Sequence, residues 1–130
     1  MTAADRPVPP PLHELESEVM EEVWRVSEAN VREVLHALNG QGAKQRAYTT
    51  VMTIMQRLDT KGLLRRRRHG RTDIYEPCLS REEYLRARAE AEVDAVVQQY
   101  GEVAFVHFAR QMAALDPEQR QKLTRLARRD

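Results

Sequence analysis

Across residues 46–75 the apolar pattern changes period once, from helical to alternating, and a glycine stands at the change. Val51, Ile54, Met55 and Leu58 lie at i, i+3, i+4 and i+7, one stripe of a helix. Gly62 sits where a left-handed C′ residue would end that helix. Residues 63–68 and 72–76 then read as two short strands around the glycine turn His69-Gly70-Arg71, a β-hairpin. A helix joined directly to a hairpin leaves a small chain few ways to bury one face of each.

The other face of the helix carries Thr49, Thr50, Met52, Thr53, Gln56 and Arg57. A solvated face is normally rich in charge, and here only Arg57 is charged. Short hydroxyls, an amide, an apolar tip and one guanidinium suit contact with base edges. Thr and Gln hydrogen-bond there, an apolar tip meets a thymine methyl, and Arg reaches guanine or phosphate. Arg46 and Tyr48, at the start of the helix, join this candidate set. The first-turn N–H groups can bind a backbone phosphate. A polar-faced helix followed by an arginine-rich hairpin predicts a winged helix-turn-helix.

Charge distribution points the same way. The net charge is only +1, but residues 44–71 hold 9 basic side chains and 1 acidic one. Residues 1–43 hold 3 basic and 8 acidic, and residues 72–130 hold 9 basic and 11 acidic. The positive charge is thus gathered in one segment between acidic flanks, as on a nucleic-acid-binding face. Four consecutive arginines, Arg65 to Arg68, repel one another unless anions stand opposite. Arg68 and Arg71, nearest the turn, are expected to touch phosphate or the minor groove, with Arg65 and Arg66 nearer the base of the sheet.

Residues 1–11 hold four of the six prolines and read as a disordered or extended arm. A winged domain is expected over residues 12–78. Its first helix buries Leu12, Leu15, Val19, Met20, Val23 and Trp24, and a run of glutamates between 14 and 22 is read as a solvated face. Asn30 and Glu33 have capping-box spacing. They open a second helix that buries Val31, Val34, Leu35 and Leu38 and ends near Gly40, before a polar turn at 41–45. Ile74 and Tyr75 are expected to pack the hairpin onto the helices.

A helical region spans residues 79–130. Ser80 with Glu83 caps a helix to about Tyr100, Gly101 breaks it, and Asp116-Pro117 starts the last one. About fifty residues are too few to bury three apolar helix faces alone. Leu85, Val93, Val97, Phe105, Phe108, Met112, Leu123 and Leu126 are therefore expected to dimerise the chain. The fold class is mostly α: a winged helix-turn-helix with a small β-hairpin wing, followed by a C-terminal helical dimerisation module.

The runs L-H-E-L-E-S-E-V-M-E-E-V-W, V-R-E-V-L-H-A-L, A-Y-T-T-V-M-T-I-M-Q-R-L-D-T-K-G-L-L and G-R-T-D-I-Y-E-P resemble the BlaI/MecI penicillinase-repressor family of bacterial regulators. The resemblance covers residues 12–128 and is strongest in the first two-thirds. It implies a homodimeric repressor on palindromic double-stranded operator DNA, with Thr49, Thr50, Met52, Thr53 and Arg57 facing the operator. It also implies inactivation by a membrane β-lactam sensor with a zinc-protease domain, cutting the dimerisation region between Asn and Phe. The aligned pair here is His107-Phe108, which keeps the phenylalanine and not the asparagine. The copper-responsive branch carries paired C-x-C motifs, and this chain has none.

Two other classes stand beside this one. One is a winged-helix module that uses the hairpin arginines on an acidic protein, and a repressor of unrelated genes with another signal stands beside it. The other is an enzyme, for which the residues give little: His13, His36, His69 and His107 are scattered and no H-E-x-x-H or G-x-S-x-G occurs. No cofactor or metal site is expected, Cys78 being a lone thiol, buried or incidental. The single cysteine and the lack of a long apolar run predict a cytoplasmic chain with no membrane insertion.

Overall fold

In the computed structural model, residues 7–41 and 44–129 are described. The element order is α1 (Glu14–Val26), α2 (Val31–Gln41), α3 (Tyr48–Thr60), β1 (Leu64–His69), β2 (Thr72–Pro77), α4 (Arg81–Tyr100), α5 (Glu102–Ala114) and α6 (Pro117–Ala127). This is the mostly helical winged architecture expected, with one two-stranded antiparallel sheet. The chain divides into two compact units, Met1–Ala89 and Glu90–Asp130. The division falls inside α4, not at residue 78, because the start of α4 packs on the first unit.

The helix ends follow from local chemistry. Asn30 and Glu33 exchange both capping hydrogen bonds, at 2.8 and 2.9 Å, and Ser80 and Glu83 do the same at 3.0 and 2.9 Å. Asp116 accepts from the Gln119 N–H with Pro117 at the first helical position. At the end of α3 the Leu63 N–H reaches the Leu58 carbonyl and the Gly62 N–H that of Asp59. Gly62 has φ +81°, so the helix closes in a Schellman turn that only glycine adopts without strain.

The core of the first unit is Val19, Met20, Val23, Val34, Val51, Ile54, Met55, Leu58, Leu63, Leu64 and Tyr75, with Leu12, Leu15, Trp24, Leu35 and Leu38 against it. The α3 stripe read from the sequence is therefore the face that anchors α3. Trp24 and Tyr84 lie with ring centroids 5.5 Å apart, and the Trp24 Nε1–H donates to the Leu79 carbonyl at 2.9 Å. Residues 1–6 of the N-terminal arm lie outside the described residues, as do 42–43 of the expected polar turn. Residues 7–11 have no regular structure but are held, not disordered. Pro9 is buried, its carbonyl accepts from Arg88 at 3.2 Å, and the Pro10 carbonyl accepts from the Tyr84 hydroxyl at 3.0 Å.

Two glutamates read as solvated are buried. Glu22 is paired with Arg25, while Glu16, 1% exposed, joins the start of α1 to the end of α3. Its carboxylate accepts from the His13 N–H at 3.0 Å and from Lys61 Nζ at 2.7 Å. Burial pushes the Glu16 carboxyl up, but the Lys61 ammonium and the His13 N–H hold it below the usual carboxylate range. Its depressed value stabilises the fold above the ordinary range near pH ~4.3, and that contribution is lost as acid protonates the folded form. Replacing Lys61 by Met leaves a buried carboxylate without its cation. We expect a loss of about 2–3 kcal/mol in urea unfolding at pH 7. Glu16→Gln should cost about 1 kcal/mol, because an amide still serves the His13 N–H and the part-exposed Lys61 can turn to water. Equal losses would show that the pair is not what ties α1 to α3.

Candidate nucleic-acid interface

Anchoring one face of α3 leaves the other exposed. Thr49, Thr50, Thr53, Gln56 and Arg57 are all exposed, and Met52 is half-buried against the core. Ala47 is the N-cap and supplies no side-chain hydrogen bond, so the first turn presents its N–H groups outward. The geometry places short donors and acceptors, an apolar tip and a guanidinium on one strip that a groove of a duplex can receive.

The approach to α3 is set by Asn39, in the last turn of α2. Its side chain donates to the Arg46 carbonyl at 3.1 Å and accepts from the Arg46 N–H at 2.7 Å, and Gln45 donates to the Asn39 carbonyl. Both backbone groups of Arg46 are thus satisfied by one amide seven residues earlier. An asparagine just before a glycine gives only a turn signal, so this clamp was not legible.

Candidate residues from α3 and the wing turn meet in a recess of about 340 Å³, where Tyr48, Met52, Gln56 and Arg71 stand with Asn30 and Arg32. Arg32, missed in the sequence, lies with its guanidinium 5.4 Å from the centre of the Tyr48 ring, at cation–π distance. Arg46 is not brought to this recess. It turns to Glu18 of α1 at 3.3 Å and lines a separate groove with α1 residues.

The wing pairs in the register Leu64↔Pro77, Arg66↔Tyr75 and His69↔Thr72, so the turn is the two residues Gly70-Arg71 and His69 is still strand. Gly70 has φ +64°, and Arg71 is not in the left-handed region, as in a type II′ turn. Tyr75, 1% exposed, seats the wing: it exchanges backbone hydrogen bonds with Ala29 at 3.0 and 2.9 Å, forming an antiparallel bridge to the loop before α2. Burial pushes its hydroxyl up, and the Arg66 guanidinium opposes this.

The arginine run does not wait for an outside anion. Arg65 bonds its cross-strand neighbour Glu76 at 3.0 Å, Arg66 lies 4.0 Å from Asp59 and 3.9 Å from Asp73, Arg67 pairs with Glu28 at 2.8 Å, and Arg68 with Asp73 at 3.4 Å. The anions opposite the run are the protein's own: the fold supplies carboxylates from α3, β2 and the α1–α2 loop. No acidic partner of Arg57 or Arg71 occurs among the described residues, and both are exposed. Cys78, expected to be buried or incidental, is exposed. Among the described residues no three His, Cys, Asp or Glu side chains gather as for a metal, and no helix is long and apolar enough to cross a membrane.

Within the second unit the single buried residue among those described is Ala104. Val93, Val96, Tyr100, Val103, Phe105, Val106, Leu123 and Leu126 are exposed in the single chain, Val103 at 72% and Phe105 at 58%; Val97, Phe108 and Met112 are half-buried. Leu85, in the first unit, is also exposed. His107 is exposed beside Phe108 in the middle of α5.

Residues 12–129 match the family described as Penicillinase repressor. The transcriptional regulator BlaI of Mycobacterium tuberculosis is 37% identical over 108 residues, which are 79% of this chain and 75% of that protein. The penicillinase repressor of Bacillus licheniformis is 28% identical over 82 residues, 63% of this chain and 62% of its own. Among solved structures, the DNA binding domain of the repressor BlaI superposes with a TM-score of 0.51 and 29% identity, covering 61% of this chain and 93% of that one.

Proposed function

The chain belongs to the penicillinase repressor family, and from that premise we propose that it is a DNA-binding transcriptional repressor acting as a homodimer. One observation carries the reading. The polar strip of Thr49, Thr50, Thr53, Gln56 and Arg57 is exposed on a helix whose opposite face is fixed in the core. Each protomer lays α3 in the major groove while the wing holds the neighbouring backbone. Two half-sites on one side of a duplex, one or two turns of ~34 Å apart, then match a twofold dimer.

The exposed apolar side chains of Glu90–Asp130 support the homodimer. A monomer leaving Val103, Phe105, Val106, Leu123 and Leu126 in water would carry an unusual apolar surface. Signal-dependent proteolysis by a membrane sensor-protease is the derepression route that the family resemblance suggests. The His107–Phe108 bond lies within regular helix, so α5 must open locally before a protease can take that strand of backbone.

Selection of bound genomic fragments tests the function. Palindromic sites, protected on one side of the helix, are the expected outcome, and sites upstream of β-lactamase and sensor genes would assign the signal. Recovery of no DNA alongside capture of an acidic protein would replace it with the interaction-module reading. Arg57→Ala should cost about 1–3 kcal/mol on the selected operator and less on random DNA in titrations at fixed salt. Equal losses on both would make Arg57 a phosphate contact and not a base reader.

A further inference from the structure

The pairing of the wing arginines divides them into kinds. Arg65 meets its direct cross-strand neighbour, and Arg66 is held between Asp59 and Asp73, at the base of the wing. Arg67 is different. Its register partner is Ile74, and its carboxylate comes from outside the hairpin: Glu28, in the α1–α2 loop, 39 residues away in sequence. Both side chains are about half exposed, so the pair is open to solvent and to exchange. Glu28 itself precedes Ala29, whose bridge to Tyr75 fixes the loop beside β2. The carboxylate is therefore delivered to Arg67 by the backbone and not by chance approach of two long side chains.

A carboxylate at 2.8 Å from a guanidinium occupies the place that a phosphate oxygen takes in a complex. Resting on the reading of the chain as a DNA-binding protein, we infer that Arg67 is a phosphate contact held in reserve by Glu28. The carboxylate stands in for the DNA backbone until a duplex displaces it. Glu28 thereby sets the sequence-independent part of the affinity: binding must first break the internal pair, and this weakens operator and random DNA alike.

The test is a cycle of full-length proteins: wild type, Glu28→Gln, Arg67→Gln and the double variant, titrated with operator and random duplexes across a salt series. Melting curves verify that each is folded, which is expected because both positions are exposed. Glu28→Gln should tighten both duplexes about twofold to fivefold at fixed salt, the range set by an exposed ion pair. Arg67→Gln should reduce the slope of log affinity against log salt by about 0.9, one phosphate contact. In the Arg67→Gln background, removing the Glu28 charge should change nothing. The inference is overturned if the Glu28 effect persists undiminished without Arg67, which is plain charge repulsion. An unchanged salt slope in Arg67→Gln, or unchanged affinity in Glu28→Gln, overturns it as well. Failure of the wild-type protein to bind any duplex would instead remove the DNA-binding reading beneath it.

Discussion

A chain ended after Ala89 will be monomeric in sedimentation and will bind operator DNA about a hundredfold to ten-thousandfold more weakly than the full chain. The first unit stops at Ala89. Its core closes with Tyr84 against Trp24, and the Pro9 and Pro10 carbonyls are bonded by Arg88 and Tyr84. A cut at residue 79 would strip these contacts and confuse unfolding with loss of a partner. A cut after Ala89 keeps them, keeps α3 and the wing, and removes only the unit with its exposed apolar side chains. Linked half-sites gain affinity through effective concentration, with no new contact to DNA. A truncated chain that still sediments as a dimer would move the dimer contact to the winged unit and leave the apolar tail without an occupant.

The second large effect falls on stability. Tyr75→Ala should cost about 3–5 kcal/mol in urea unfolding, most of the margin of a domain of this size. The ring is 1% exposed and packs among the core residues. Tyr75→Phe keeps the ring and loses only the hydroxyl, about 1 kcal/mol or less. A large loss in both variants would place the weight on the hydroxyl and Arg66 instead of on apolar packing. Because Tyr75 seats β2, the alanine variant should also weaken DNA binding before it unfolds.

Much of this was legible in the residues because it is local. The α3 stripe, the glycine that ends α3, the Asn30–Glu33 and Ser80–Glu83 caps and the hairpin each depend on neighbours within a few positions. The polar strip was legible for the same reason: fixing one face of a helix fixes the other. What failed was long-range. Nothing in a row of glutamates singles out Glu16, since its burial depends on Lys61, 45 residues later. The arginine run suggested an outside anion because Glu28, Asp59 and Asp73 become its neighbours only in the fold. Arg46 looked like part of the strip by sequence position, yet the Asn39 clamp turns it toward α1. The arm looked disordered on its prolines, and its acceptance of Tyr84 and Arg88 has no signal in composition.

The bridge between Ala29 and Tyr75 has one more effect. A two-stranded ribbon has two bare margins, each able to recruit an extended segment from another molecule. Here the margin of β2 is already taken at its midpoint by Ala29, and Pro77, which has no N–H to offer, blunts its end. The wing is thereby kept from recruiting a strand of another copy along β2, and runaway stacking is blocked on that side.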